Sequence, residues 1–175
     1  MPHPRMYDDS SPTLQRLRAI CLALPEVYEK EAWGECTFRV TGGSMFAMTD
    51  NHHHGSERVA VWVKASPTVQ EILVHADGKR FFVPPYVGPK GWVGMRLDHK
   101  VDWEELAGIL EDGYLLSAPK RLHKRVPAAM EAAAATTGIA KTRRAASISG
   151  SKRASKTTPS SNTKPRSKQT TRTRH

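Results

Sequence analysis

The residues of this chain most suited to chemistry are eleven basic side chains near its C-terminus. All eleven lie in the last 44 residues, which contain no acidic side chain. They occur in small groups separated by Ser, Thr, Ala and Pro. Spaced cations on a flexible chain can follow a phosphate backbone and release its counterions without a fixed binding geometry. The pattern predicts salt-dependent, weakly sequence-specific contact with nucleic-acid phosphates; a solubilising role or another polyanion is the alternative. The set is Lys141, Arg143, Arg144, Lys152, Arg153, Lys156, Lys164, Arg166, Lys168, Arg172 and Arg174.

The rest of the chain is electrically balanced. Residues 1–126 hold 16 basic and 16 acidic side chains, so residues 127–175 carry the whole formal charge of +10. All twelve aromatic residues also lie before residue 127. A segment rich in Lys, Arg, Ser and Thr with few apolar residues cannot bury enough surface to offset its ordering entropy. The sequence predicts a loose leader over 1–10, a folded domain over 11–126 and a disordered basic tail over 127–175.

A second group of candidate binding residues lies in the folded domain. If the alternating apolar residues of 59–63 and 93–97 face helices, the opposite sheet face combines cations with aromatic rings. That mixture suits phosphate contact and base stacking. The alternative is that loops or a partner subunit cover the rings, while the cations only extend to water. The domain candidates are Arg39, Trp62, Lys64, Arg80, Lys90, Trp92, Arg96, Lys120, Arg121, Lys124 and Arg125.

Motifs for catalysis or metal binding are weak by comparison. Three adjacent histidines, 52–54, fall in a polar loop and cannot all face one side, so we expect no metal there. The sequence around 88–91 lacks the strand and the Ser or Thr of a phosphate-binding loop. Cys36 has no evident histidine partner, so thiol catalysis is not expected. The sequence predicts no enzyme activity, no cofactor and no metal.

Composition also indicates where the protein acts. No apolar run approaches the roughly 18 residues of a membrane span, and the N-terminus lacks the apolar segment of a secretory signal. Two cysteines, Cys21 and Cys36, do not make a disulfide framework, which favours a reducing compartment. Anionic lipid suits the tail less well than nucleic acid, because no large apolar residues interleave with its cations. We expect a cytoplasmic protein, with no membrane partner.

The spacing of apolar residues predicts the elements that must position the candidate residues. Strands with one apolar and one mixed face favour an antiparallel sheet with helices on one side, an α+β two-layer sandwich. Ser-Pro pairs open the first two helices as N-cap and first helical residue, and Asp102 with Glu105 caps the last. In the order α-β-β-β-α-β-β-α, we expect a helix from 11 to 24, strands near 37–40, 45–48 and 59–63, a helix from 66 to 76, strands near 80–83 and 92–97, and a helix from 102 onward.

Three segments together resemble the MmcQ/YjbR family of small bacterial proteins. They read LALPEVYEKEAWGECTFRV, PPYVGPKGWVGMRLD and DWEELAGILEDGYLLSAPKRL, and the resemblance spans residues 12–125 without the tail. It implies a secretion-chaperone-like or CyaY-like α/β sandwich and the family's usual description as DNA-binding. Family and tail together predict a non-enzymatic, nucleoid-associated protein, a monomer or weak homodimer, that binds DNA or RNA. The alternative is a protein-interaction or chaperone-like module that uses the exposed sheet face, with the tail as accessory.

Overall fold

A computed structural model describes residues 3–52 and 55–126. Those residues form one α+β body of helices packed against an antiparallel sheet, which confirms the expected fold class. The tail, with its eleven cations, lies outside the described residues. Its disorder and its contacts therefore stay predictions.

The sheet has six antiparallel strands in the order β1-β2-β3-β4-β6-β5. Five of them match the strands expected from the alternation of apolar residues, and β1 is additional. β1 lies at the sheet edge and has no buried residue, so its charged sequence carries little alternation. The strands are β1 (Val27–Ala32), β2 (Glu35–Val40), β3 (Met45–Asn51), β4 (Val59–Val63), β5 (Phe81–Phe82) and β6 (Val93–Arg96).

Four helices accompany the sheet, and their starts agree with the expected caps. The Ser11 and Ser66 hydroxyls accept hydrogen bonds from backbone N–H groups three residues ahead, and proline follows each serine. The Asp102 carboxylate accepts from two N–H groups of the next helix, in the way an N-cap satisfies otherwise unpaired donors. The helices are α1 (Pro12–Ala23), α2 (Pro67–Ala76), α3 (Trp103–Leu115) and α4 (Lys120–His123).

The core lies between the helices and one face of the sheet. Leu17 of α1 and Leu110 of α3 are fully buried there. The rings of Phe46 and Tyr114 meet edge to face, with centroids 5.8 Å apart. The Tyr114 hydroxyl donates a hydrogen bond to the carbonyl of Pro25, 2.9 Å away, which joins α3 to the turn after α1. The central helix is thus locked both to the sheet and to the first helix.

The leader is docked rather than loose over residues 3–10. The Met6 N–H donates to the Gly34 carbonyl at 2.8 Å, and the Asn51 amide donates to the Met6 carbonyl. Gly34 has φ 81°, and a Cβ there would lie 2.1 Å from the carbonyl oxygen of Pro4. Only glycine accommodates both this conformation and this approach. The leader therefore covers the β1–β2 turn, at one end of the sheet.

Candidate nucleic-acid interface

Seven of the eleven domain candidates meet at the end of the sheet opposite the leader. Arg39 pairs with Met45 next to the turn that joins β2 and β3, and Lys64 directly follows β4. Lys90 ends a short 3-10 turn whose next residue, Gly91, packs against the Ala65 carbonyl. The Ser44 N–H donates to the Ser117 carbonyl, which brings α4 to the same end. We call this surface the basic end; it carries Arg39, Lys64, Lys90, Lys120, Arg121, Lys124 and Arg125.

Lys64 joins the basic end to the central helix. Its ammonium donates to the Leu116 carbonyl and to the Ser44 hydroxyl, each at 3.3 Å. Leu116 follows the last residue of α3, where backbone carbonyls lack helical partners and the helix dipole is negative. The fold therefore favours a cation at this position. Both hydrogen bonds of the Lys64 ammonium are to neutral groups, so its charge is not neutralised.

Glu26 offsets part of the charge at the basic end. Its carboxylate accepts from both terminal nitrogens of Arg121, at 2.8 and 2.7 Å, and from Arg125 at 3.0 Å. The Arg121 guanidinium holds the pKa of Glu26 below its ordinary value. One carboxylate shared by two guanidinium groups leaves a net positive charge. In the described part of the chain, no carboxylate lies within ion-pair distance of Lys120 or Lys124, and both are exposed.

The remaining two arginines among the candidates lie at the leader end and are neutralised. Arg80 forms ion pairs with Asp77, at 2.8 Å, and with Glu105. Arg96 pairs with Asp98 through two nitrogens, at 3.0 and 2.6 Å. These carboxylates raise the pKa of both arginines. The structure does not bring Arg80 and Arg96 to the basic end, and their charge is already satisfied within the fold.

The expected stacking role of Trp62 and Trp92 is wrong, because both side chains are buried. They are 3% and 6% exposed, and they pack with Met48 on the sheet face away from the main core. Phe82 and the loop residue Val87 pack against them. The Trp62 indole N–H donates to the Asp50 carboxylate at 3.0 Å. The rings could have been exposed for stacking or covered by loops, and the structure supports coverage by the chain's own loop.

Two exposed tyrosines lie at the basic end and were missed by the sequence analysis. Tyr28 is 45% exposed and lies directly across from Arg39 in the β1–β2 pairing. Tyr86 is 71% exposed, in the loop that also carries Lys90. Tyr28 went unnoticed because β1 was not expected. The Pro84-Pro85 pair before Tyr86 was the available signal for a rigid, exposed loop.

The geometry of the described residues offers no support for metal binding or thiol catalysis. Among residues 3–52 and 55–126, no cluster of three or more His, Cys, Asp or Glu side chains could hold a metal ion. His52 is described, with its Nδ1 3.1 Å from the Ser56 carbonyl oxygen, whereas the other two histidines of the run are not. Burial raises the pKa of the Cys36 thiol to about 12 and that of Cys21 well above its usual range. In the same described residues, no helix is long and apolar enough to cross a bilayer.

Comparisons with known proteins agree with the fold. The YjbR family model matches residues 22–116. A crystal structure of the Deinococcus radiodurans protein DR2400, described by the family domain DUF419, superposes with a TM-score of 0.53 at 25% identity. That match covers 71% of this chain and 91% of the Deinococcus chain. No curated protein matches. The matched family region ends ten residues before the last described residue and does not reach the tail.

Proposed function

The chain belongs to the YjbR family, and we propose that it is a non-enzymatic protein that binds DNA through the basic end and the cationic tail. The body supplies a fixed group of cations. The tail supplies eleven more, with no fixed geometry required. Binding of this kind is mainly electrostatic and weakly sequence-specific, and it fits a cytoplasmic protein associated with the nucleoid.

One observation carries the proposal: the fixed cations and the tail are consecutive along the chain. The four cations of 120–125 belong to the basic end, and the tail begins at residue 127. The tail is joined directly to these cations, so it begins close to any phosphate that they bind. A flexible chain of 49 residues has an r.m.s. span of roughly 35–40 Å. The tail would extend the contact well beyond the footprint of the body.

The alternative, a protein-interaction or chaperone-like module, gains no support from Trp62 and Trp92, because both side chains are covered within the chain. Met48 and Val87 fill the space around them. Gel filtration checks the alternative directly, because a stable dimer would favour it and a monomer or weak dimer agrees with the DNA-binding proposal.

Salt-titrated binding of the full chain to duplex DNA tests the proposal. With about six phosphates engaged, the plot of log K against log salt should have a slope near −5. Changing the eleven tail cations to Gln should flatten that slope and weaken binding by orders of magnitude. The matched control is a tail of scrambled order with the same composition, which should bind like the natural tail. The proposal is refuted if the Gln tail leaves affinity and slope unchanged.

A further inference from the structure

Strand β1 leaves one edge of the sheet open to a further strand. It is the outermost strand beside β2, and it pairs with β2 in regular register from Val27–Val40 to Ala32–Glu35. Among the described residues, no hydrogen bond reaches the outer side of the β1 backbone between Tyr28 and Ala32. β1 has six residues, no proline and no bulge against β2. An edge strand of this kind is a template on which another strand can pair.

The opposite edge of the sheet is protected. β5 has only two residues, Phe81 and Phe82, and Pro84 and Pro85 follow it almost at once. Short edge strands and proline are common devices against unwanted strand pairing. β1 has neither device, so the fold closes one edge and leaves the other available.

The register with β2 determines which backbone groups of β1 face outward. The Glu26 carbonyl accepts a hydrogen bond, 3.0 Å long, from the residue that follows β2. Hydrogen-bonded pairs recur at every second residue of an antiparallel ladder. The N–H and C=O groups of Tyr28 and Lys30 therefore face β2, and those of Glu29 and Glu31 face outward.

Exposed apolar side chains flank this edge on both faces of the sheet. Tyr28, on the face away from the main core, is 45% exposed. On the core face, Arg18 of α1 pairs with Glu29 of β1, and Leu22 follows Arg18 by one helical turn and is also 45% exposed. Residues four apart share one side of a helix, so Leu22 lies on the side of α1 that faces β1. A second strand at this edge, carrying its own α1, would cover both apolar side chains.

The charges of β1 favour one antiparallel register with a second copy of the chain. When Glu29 lies across from Glu29 of the second copy, their outward N–H and C=O groups meet directly. Each Lys30 then lies across from Tyr28 of the second copy, where a cation beside an aromatic ring is favourable. Each Glu29 carboxylate accepts from two nitrogens of Arg18, at 2.8 and 2.7 Å, which offsets the repulsion between the two acids.

The neighbouring registers are less favourable. A shift by two residues in one direction places Lys30 across from Lys30 and Glu29 across from Glu31, so like charges meet. A shift in the other direction leaves fewer outward groups paired, because the Val27 N–H already donates to the Leu24 carbonyl at 3.3 Å. The register centred on Glu29 combines the most backbone pairing with the least repulsion.

From the open edge and this register we infer that β1 pairs with β1 of a second copy, antiparallel about Glu29, and forms a weak homodimer. One pair of strands with two α1 helices is a small interface, so the dimer should populate as concentration rises. β1 begins at the basic end, where Glu26 pairs with Arg121, and ends at the leader end. Antiparallel pairing directs the two basic ends away from each other. The dimer would therefore join two DNA duplexes, a consequence that rests on the proposed function.

Sedimentation equilibrium of the full chain without DNA, at raised salt and over a range of concentrations, tests the interface. The mass of the natural protein should rise from that of the monomer toward twice that value. Tyr28→Lys puts like charges across from Lys30 at two symmetric places and should weaken association about tenfold or more. Tyr28→Glu removes the same ring but brings opposite charges together, so it should associate at least as tightly as the natural protein.

A charge exchange and a displaced charge complete the set of variants. Tyr28→Lys combined with Lys30→Glu should restore association. This double variant keeps the Tyr28→Lys change, so recovery separates pairing between copies from a change in the fold. Ile72→Lys, on α2 and 60% exposed, adds the same charge to another element and should leave the mass unchanged. A natural protein that stays monomeric at every concentration, or variants that all associate alike, overturns the inference.

The joining of two duplexes has its own measurement. A bead-bound duplex should retain a second, labelled duplex in the presence of the natural protein or of Ile72→Lys, and several times less of it with Tyr28→Lys. Tyr28→Lys and Ile72→Lys have the same net charge, so their affinities for a single duplex should agree. Equal retention by the two variants would show that the inferred orientation of the basic ends is wrong. If the dimer forms but no duplex binds in a salt-dependent manner, the proposed function fails and the β1 interface stands.

Discussion

The two ends of the sheet place the same kinds of basic side chain in different surroundings. At the leader end, Arg80 and Arg96 each form ion pairs with nearby carboxylates. At the basic end, Arg121 and Arg125 share the single carboxylate of Glu26, and no described carboxylate pairs with the lysines. A balanced pair contributes to structure, whereas an excess cation attracts a phosphate. The number of neighbouring carboxylates, rather than residue type, separates neutralised cations from cations in excess.

The leader end also holds a buried acid and a group of partly buried ion pairs. Arg18 donates to Glu29 through two nitrogens, at 2.8 and 2.7 Å, and pairs with Asp9 of the leader at 2.6 Å. Glu35 is fully buried and accepts from the Thr49 hydroxyl at 2.6 Å and from the Asn51 N–H at 2.9 Å. Removing either side of such a contact leaves an unpaired buried partner. Substitutions at the leader end should therefore affect stability, and those at the basic end should affect binding.

The largest expected effect is on DNA affinity after charge reversal at the basic end. Lys64, Lys120 and Lys124 changed together to Glu should weaken duplex binding about a thousandfold at low salt, because three phosphate contacts become repulsions. Binding isotherms of the full chain measure this. Lys79 and Lys100, both exposed at the leader end, are the control, and their double reversal should change affinity much less. Losses of affinity in proportion to the number of lysines reversed, three against two, would show that only net charge matters and that the two ends do not differ.

The next effect is on stability, at the leader end. Glu35→Ala should lower the free energy of unfolding by about 2–3 kcal/mol, because the Thr49 hydroxyl and the Asn51 N–H lose a buried acceptor. Urea denaturation measures the change. Glu57→Ala, in the exposed loop nearby, should stay within about 0.5 kcal/mol of the natural protein. The folded Glu35 variant should bind DNA normally, and weakened binding would contradict the separation of the two ends.

A smaller effect should follow from release of the paired arginines at the basic end. Glu26→Gln removes the carboxylate that offsets Arg121 and Arg125, so duplex affinity should rise by roughly threefold to tenfold and the salt slope should steepen by about one. The comparison variant is Glu104→Gln, an exposed acid in the first turn of α3 at the leader end. An unchanged slope for Glu26→Gln would mean that these arginines do not face the DNA.

The smallest effect concerns pH. Burial raises the pKa of Glu35 above its ordinary value, and the hydrogen bonds from Thr49 and Asn51 oppose that shift. An acidic group whose pKa is higher in the folded than in the unfolded state stabilises the fold fully at pH values below its unfolded-state pKa. That stabilisation declines as the pH rises through the folded-state pKa. The natural protein should therefore lose stability relative to Glu35→Gln as the pH rises above the ordinary pKa of a glutamate. Melting temperatures of both proteins from acid to neutral pH measure the effect, and a constant difference would contradict it.

Much of the fold could be predicted from local sequence. Ser11, Ser66 and Asp102 mark helix starts because capping depends on residues within one turn. Alternation identified five strands because large apolar residues recur at every second position on the face that meets the main core. β1 was missed because an edge strand held by ion pairs has no such face. The docked leader was missed because its partners, Gly34 and Asn51, lie far along the chain.

By itself the sequence determined the α+β class, the helix caps and the position of the net charge, since these depend on composition and on neighbours a few residues apart. Only the tertiary structure decided which cations are in excess. Arg121 meets its carboxylate 95 residues earlier, at Glu26, and Arg80 meets Glu105 25 residues later. It also decided that Trp62 and Trp92 are covered, while Tyr28 and Tyr86 are exposed. Such contacts join residues distant along the chain, so no local pattern encodes them.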